Sequence, residues 1–371
     1  MSRIRPIEAA DIPAIAALFQ RVLRKKSSPA PDTLADYMRR FYLEAPGCDE
    51  GIASLVHLDD AGRISGFVGV HAMPMTFNGR KLRAAICGSL MVEDRDNDPM
   101  AGARLLKSFL DGPQDLSFSE TANDVATQLW TRLRGVVLPQ YSLDWVRVIR
   151  PLGFTLGVAT GRVGIAQMLS PLANVIDGLW RRRVRPGAGS WAAVSAGRSG
   201  QKALRVVEIG SAEFAGLFEP LTDQFALRPD WEQSRLDWIL ADAMLKPDLG
   251  DLVFASITSP SGALVGAFAY YAKPGRIGRV LQVLARPGQA GHAIDCLVDH
   301  AAARGLCGLR GRTQAALMEA MLRRRIVFVP VASTVVHSRD TELLRAMTAS
   351  QAFLNGVAGE QWSRLIGGRF D

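Results

Sequence analysis

Two short stretches carry the residue types that hold an anion ahead of a helix. The clearer one is Leu284–Ala293, LARPGQAGHA, with Arg286, Gly288 and Gly291 between a strand-like and a helix-like segment. Glycines let backbone N–H groups approach a phosphate, and a helix N-terminus favours negative charge. The same residues also satisfy a plain strand–helix turn. The other stretch is Val92–Leu106, VEDRDNDPMAGARLL. Its carboxylates at Asp94, Asp96 and Asp98 oppose a phosphate. Asp98 and Pro99 fit a helix N-cap and first helical residue equally well. Metal chemistry finds no support: the five histidines form no HxxxH or HExxH pattern, and the four cysteines form no CxxC pair. The cysteines read as reduced thiols of a cytosolic protein.

The elements that must position these stretches follow from hydrophobic periodicity and turn residues. A strand at Ile4–Ile7 leads to a helix capped by Asp11, with Pro13 in its first turn. A second helix starts near Pro31. Gly51–Leu58 and Ile64–Ala72 form a hairpin around Asp59–Gly62, and Leu82–Val92 is a third long strand. A helix at Met100–Leu110, a strand at Leu116–Ser119 and a helix at Asn123–Arg134 follow. Strands near Val136–Leu138 and Trp145–Val148 close the unit.

The second half repeats this order. A strand at Val206–Ile209 precedes helices near Ala212–Gln224 and Pro229–Met244. Leu252–Thr258 and Ala263–Ala272 form a hairpin, and Gly278–Leu284 is the long strand. Then come a helix at Ala293–Arg304, a strand at Cys307–Arg310, a helix at Gln314–Arg324 and a closing strand at Ile326–Val336. Gly62, Ile64, Gly66, Val68, Val70 and Ala72 match Gly262, Leu264, Gly266, Phe268, Tyr270 and Ala272 at a constant offset of 200 residues. That points to a duplication. The expected organisation is α/β with mixed sheets: residues 1–154, a linker over 155–200, and residues 201–371. The linker holds an apolar helix (Ile165 to Trp180) ending in Arg181–Arg183, then a Gly/Ser/Ala-rich run. Such a helix packs between domains or lies on a membrane surface.

The first half resembles the GNAT superfamily of N-acetyltransferases over about Arg3–Arg150. The resemblance rests on IRPIEAADIPAIAALF, on the Val92–Leu106 loop, and on NDVATQLWTRLRG at Asn123–Gly135. It implies two tandem acyl-CoA N-acyltransferase-like domains and acyl transfer from acetyl-CoA or another acyl-CoA to an amine. In the family's loop Arg or Gln stands where this chain has Asn97. Met100 replaces the first glycine, and Gly102 keeps the second. The implied coenzyme A contacts are Val92, Asn97, Gly102, Ala103 and Asn123 in the first half, and Arg286, Gly288 and Gly291 in the second.

The resemblance also frames the proton transfers. Candidate bases are Glu120, just past the strand Leu116–Ser119, and Glu93, at the end of the long strand. The family's usual tyrosine is replaced by Trp130, so Tyr141 is the candidate donor to the leaving thiolate. Gln282 and Arg312 face the corresponding cleft of the second half. Trp362, in the C-terminal segment FLNGVAGEQWSRLIGGRF, reads as core.

Two other readings stay open. One is a non-catalytic acyl-CoA-binding or envelope-assembly protein. The other is an aminoacyl-tRNA-dependent transferase of the similar peptidyl-transfer group, which would use the basic clusters Arg21–Lys26, Arg181–Arg185 and Arg323–Arg325 under a net charge of +8. These clusters also suit solvated faces and helix C-termini, and no aromatic-interleaved basic stripe is present, so nucleic acid is not the expected partner. The chain opens without an apolar signal segment, and its longest apolar stretch is interrupted by polar residues. A bacterial, cytoplasmic protein without a membrane span is expected.

Overall fold

A computed structural model of the protein describes residues 3–93, 98–151, 154 and 204–370. The expected linker over 155–200 lies outside the described residues, as does Asn97. In chain order the strands are β1 Arg3–Pro6, β2 Leu55–Leu58, β3 Ile64–Phe77, β4 Arg80–Val92, β5 Leu116–Ala122, β6 Val136–Val137 and β7 Leu143–Val148. They continue with β8 Arg205–Ile209, β9 Leu227–Pro229, β10 Asp251–Thr258, β11 Leu264–Ala272, β12 Ile277–Ala285, β13 Gly308–Arg312, β14 Val327–Pro330 and β15 Ser333–Ser338.

These strands build two mixed sheets. One runs β1-β2-β3-β4-β5-β15-β6, with β9 also pairing β3; the other runs β14-β7-β13-β12-β11-β10-β8. Each sheet contains one parallel pair, β4 with β5 and β12 with β13, and its other neighbours are antiparallel. A parallel pair needs a crossover. Helices Ala101–Leu110 and Ala290–Ala303 supply it.

The duplicated hairpin is reproduced bond for bond. Gly62 N–H donates to Asp59 O and Asp59 N–H to Arg63 O; Gly262 N–H donates to Ser259 O and Ser259 N–H to Ala263 O. Gly62 and Gly262 have φ of 77° and 84°, a conformation open to glycine. Further along, a Cβ on Gly66 would come within 2.8 Å of Leu105 in its crossover helix. A Cβ on Gly266 would lie 2.5 Å from Leu284 O. The small residue in each strand is therefore required by close packing.

The described residues divide into two compact units. One draws on Met1–Ser142, Thr222–Leu245 and Val331–Asp371, the other on Leu143–Leu221 and Lys246–Pro330. In the first, Val68, Val70, Ala85, Cys87, Leu105, Phe109 and Trp130 bury one face of the sheet against the crossover helix and helix Asp124–Arg132. In the second, Phe268, Val283, Ile294, Leu297, Leu317, Met321 and Trp145 form the main core.

Several local expectations are corrected. The closing segment Ile326–Val336 is two strands, ended at Pro330, and they enter different sheets. The closing strands of the first half also separate: β6 pairs β15, whereas β7 lies between β13 and β14. The helix expected from Pro229 begins at Gln233, because Leu227–Pro229 pairs with Met75–Phe77 of β3. Asp98 is not the N-cap of the first crossover helix; Met100 is, and the Asp98 carboxylate pairs with Arg104 and lies 3.4 Å from His57 Nε2. The Asp11 side chain makes no cap bond to its helix; it accepts from Glu8 N–H and pairs with Arg5. Helix Thr341–Thr348 lies beyond the expected elements and is capped by Asp340, whose Oδ1 accepts from Glu342 N–H at 2.9 Å. Among the described residues no helix is long and apolar enough to cross a membrane.

Candidate functional site

In the first unit the parallel pairing of β4 with β5 covers only Ala84–Ile86 against Leu116–Phe118. Past that point the two strands share no pairing, which leaves a slot at the end of the sheet. The partner β3 imposes a second irregularity there. Phe67 faces Met91 and Gly69 faces Gly88, so Ser89 and Leu90 together oppose Val68. This is a β-bulge, and Ser89 adopts φ 55° within it. A bulge takes backbone groups out of the ladder and re-aims them.

Beside the bulge, Gly69 and Gly88 form a cross-strand pair and leave a notch in one face of the sheet. A Cβ on Gly69 would meet the Tyr42 hydroxyl at 2.4 Å, and one on Gly88 would meet Glu360 Oε2 at 2.7 Å. A cavity of about 20 Å³ remains, its lining including Tyr42, Gly69, His71, Gly88, Ser89 and Glu360. The Tyr42 hydroxyl donates to Ser89 Oγ at 3.3 Å, and burial pushes its pKa up.

Glu360 arrives from the C-terminal segment. Its Oε1 accepts from Thr121 Oγ1 at 2.6 Å, Glu120 N–H at 3.3 Å and Ser119 Oγ at 3.4 Å, all on β5. In return Glu120 Oε1 accepts from Glu360 N–H at 2.7 Å and Gln361 N–H at 2.8 Å. Each carboxylate thus receives the other's backbone amide. The clasp fixes Glu360 over the slot. Further anchors hold the segment: the Tyr37 hydroxyl donates to Asp242 at 2.8 Å, and Arg364 N–H lies 3.1 Å from both groups.

His71 borders the cavity from inside an aromatic cluster. Its ring lies 5.8 Å from Phe41, 5.4 Å from Trp362 and 6.1 Å from Trp238, nearly parallel to the last. Only 5% of the residue is exposed, and Nε2 makes no hydrogen bond. Burial, reinforced by the nearby Arg235 guanidinium, drops its pKa to about 3, so the ring is neutral at ordinary pH.

Of the residues singled out in the sequence, the structure brings Glu120 to this slot, fully buried and engaged in the clasp. Val92 is buried at the end of β4, and Gly102 and Ala103 lie in the first turn of the crossover helix. Asn123 caps helix Asp124–Arg132, its Oδ1 accepting from Ala126 N–H at 2.9 Å. Glu93 is held by Arg21 through two bonds of 2.5 and 2.8 Å. Tyr141 is fully buried, its hydroxyl committed to Ala352 O at 2.8 Å. Trp362 is core, as expected.

In the second unit, Arg286 O accepts from Gln289 N–H at 2.9 Å, closing a turn with Pro287 and Gly288 at its centre. Gly288 has φ 75°, which a turn of this type requires at its third residue. A Cβ on Gly291 would lie 2.4 Å from the Arg324 guanidinium, which is itself bound twice by Asp295. Parallel pairing of β12 with β13 also stops early, after Val280 and Gly311. Here Trp145 packs over Gly311, and Gln282 is buried.

Tyr42, His71, Ser89 and Glu360 were not singled out from the sequence. One signal was available: Gly69 and Gly88 interrupt otherwise apolar strands, and strand glycines mark bulges and close approaches.

No protein-family model matches the sequence, and no curated protein matches it. Solved structures do resemble it. A conserved protein of Enterococcus faecalis V583, described as a probable N-acyltransferase, is 9% identical over 91% of this chain and 73% of its own, with a TM-score of 0.57. A GCN5-related N-acetyltransferase of Anabaena variabilis is 9% identical over 92% of this chain and 74% of its own, also at 0.57. One from Kribbella flavida is 12% identical over 92% and 72%, at 0.52. The fold is therefore that of the GCN5-related N-acetyltransferases, in a tandem arrangement with two mixed sheets.

Proposed function

We propose that the protein is an N-acyltransferase that moves an acetyl or other acyl group from coenzyme A to an amine, with the chemistry in the first unit. The observation that carries this reading is the slot between β4 and β5, bordered by the Ser89–Leu90 bulge and overhung by Glu360. A coenzyme A thioester supplies an activated acyl carbon and a thiolate leaving group. The chain's residues must polarise the carbonyl, take a proton from the amine and exclude water. Backbone amides freed at the bulge suit the first task. Glu360 suits the second, with Thr121 and the Glu120 amide fixing the oxygen that does not face the cavity. Phosphate binding falls to the first turn of helix Ala101–Leu110, whose unpaired amides and dipole favour an anion. Asp98, which opposes a phosphate on sequence grounds, has its charge matched by Arg104.

The balance is simple. Glu360 removes a proton from the ammonium group, the neutral nitrogen bonds to the acyl carbon, the carbon–sulfur bond breaks, and the second proton given up by the nitrogen as it becomes an amide balances the one that the thiolate takes up. The assay is acetyl-CoA with a panel of small primary amines and free thiol as the readout. Thiol release dependent on amine and lost in Glu360→Gln supports the reading. No acetyl-CoA binding by calorimetry overturns it.

A second reading is favoured by Tyr141 and Trp130, both buried and neither lining the cavity, which leaves the leaving-group proton without its customary donor. In that reading the protein binds an acyl-CoA without turning it over. Thermal stabilisation by coenzyme A with no thiol release on any amine marks it.

A further inference from the structure

We propose that the sheet of the second unit carries an anion site that takes a phosphate group, formed by Arg279, Arg310 and Arg312 on the face turned away from helix Ala290–Ala303. The site is separate from the first unit's slot and does not depend on the acyl-transfer reading.

Strand register places the three side chains together. Arg279 of β12 pairs with Arg310 of β13, and paired residues share a face. Arg310 and Arg312 are two positions apart on one strand, so they share that face too. Leu309 packs into the main core with Ile294 and Leu297 of the helix, so its neighbour Arg310 faces the other way. Val146, opposite Arg310 on β7, belongs to a smaller apolar cluster with Phe154, Cys307 and Val329. The arginines therefore border apolar surface, where charges interact more strongly than in water.

The charge on this face is one-sided. Strands β7, β12 and β13 carry a single carboxylate, Asp144, which pairs with Arg312 in register. Its two oxygens are divided between two guanidiniums, Arg310 Nε at 2.6 Å and Arg312 Nη1 at 3.5 Å. Arg279 stands directly beside Arg310 on the next strand. Neighbouring strands lie about 4.8 Å apart, and like charges so placed repel. A further cation reaches the same face. Lys246 is buried, and its ammonium lies 5.8 Å from the ring of Tyr271, the residue paired with Arg279 on β11. The Arg312 side chain is 6% exposed and that of Arg310 27%, so the cluster is recessed and opens at Arg310.

A phosphate group answers this arrangement. It brings about two negative charges and several acceptor oxygens, which guanidinium forks bind in pairs. β13 lies between β7 and β12, so Asp144 occupies one side of β13 and the phosphate takes the other, between Arg279 and Arg310.

The test is calorimetry on the full chain at constant ionic strength, with inorganic phosphate, glycerol 3-phosphate and acetate as titrants. The account expects saturable binding of the phosphates and none of acetate. Tighter binding of the ester identifies an organic phosphate as the ligand, tighter binding of inorganic phosphate identifies the free ion, and either supports the site. Arg279→Met should weaken phosphate binding roughly ten- to a hundredfold, as loss of hydrogen bonds to a charged group does. Arg279→Lys keeps the charge and loses the fork; it should weaken binding about tenfold, and it replaces Arg279→Met if that variant does not melt cooperatively. Asp144→Asn removes the competing negative charge and should tighten binding several-fold. Absence of saturable phosphate binding, or acetate binding as tight as phosphate, overturns the proposal. So does wild-type phosphate affinity in the Arg279 variants: phosphate held at helix Ala101–Leu110 in the first unit would be indifferent to Arg279, and that result would leave the acyl-transfer reading untouched.

Discussion

The two units share a strand plan and differ in what fills the gap at the end of their parallel pair. In the first, β4 and β5 part after Ile86 and Phe118, and the neighbouring cavity over β3 and β4 is lined by the Glu360 carboxylate, the Tyr42 hydroxyl and the His71 imidazole. In the second, β12 and β13 part after Val280 and Gly311, and Trp145 packs over the glycine. The irregularities in the ladders differ too. The first bulge puts Ser89 and Leu90 opposite one residue near the open end of β4. The second places Leu281 between Val280 and Gln282, deeper in the strand. The scaffold thus occurs twice, and in the first unit polar side chains gather around a cavity.

The largest expected effect separates the two gaps directly. Glu360→Gln should lower turnover by about two to four orders of magnitude, the usual worth of a positioned base. Gln282→Leu in the second unit should leave turnover within a few-fold. If the second change proved the more damaging, the assignment of chemistry to the first unit would be reversed.

Next in size is an acid dependence of stability. His71 is neutral in the folded protein with its pKa lowered to about 3, against an unfolded value of about 6.5. Below pH 6.5 the unfolded chain takes up a proton that the folded chain refuses. Stability from this group is full above pH 6.5 and falls as the pH drops toward 3, by about 1.4 kcal/mol per pH unit. Urea titrations of His71→Gln should show a shallower loss across that window than wild type. Parallel curves would show that His71 does not carry the effect.

Smaller effects probe the glycines. Gly88→Ala drives a methyl toward Glu360 Oε2, and should cost about 1–3 kcal/mol of stability together with most of the activity. Gly288→Ala forces a left-handed residue in the second unit's loop, costing about 1–2 kcal/mol. Acetyl-CoA affinity should survive that change; a large loss would return the phosphate site to the second unit. The mildest change is Tyr141→Phe, which removes one bond to Ala352 O. It should cost about 0.5–1.5 kcal/mol and leave turnover intact, as thermal melts and thiol release would show.

The duplication was legible in the sequence because its signals are local. A turn glycine at Gly62 and again at Gly262, alternating apolar residues, and a small residue under the crossover helix all act within one hairpin. What decides the site is not local. Glu360 meets Glu120 across 240 residues, and nothing near either position announces the other. The closing strands have the same character: β7 and β15 carry ordinary strand patterns, and pattern alone does not choose a sheet. Glu120 shows the limit most clearly. Its residue type marks it as a candidate base just past a strand, yet it lies within β5 and its Oε1 accepts from the amides of Glu360 and Gln361. The base role in this account passes to its partner in the clasp.

The central claim is that the first unit holds the thioester beside the bulge and Glu360. The most direct measurement is a crystal structure of the Glu360→Gln variant soaked with acetyl-CoA. The account predicts density for the acetyl group beside Ser89–Leu90, with the pyrophosphate at the start of helix Ala101–Leu110. Density beside Gln282 with the pyrophosphate at Gly288–Gly291 would contradict it.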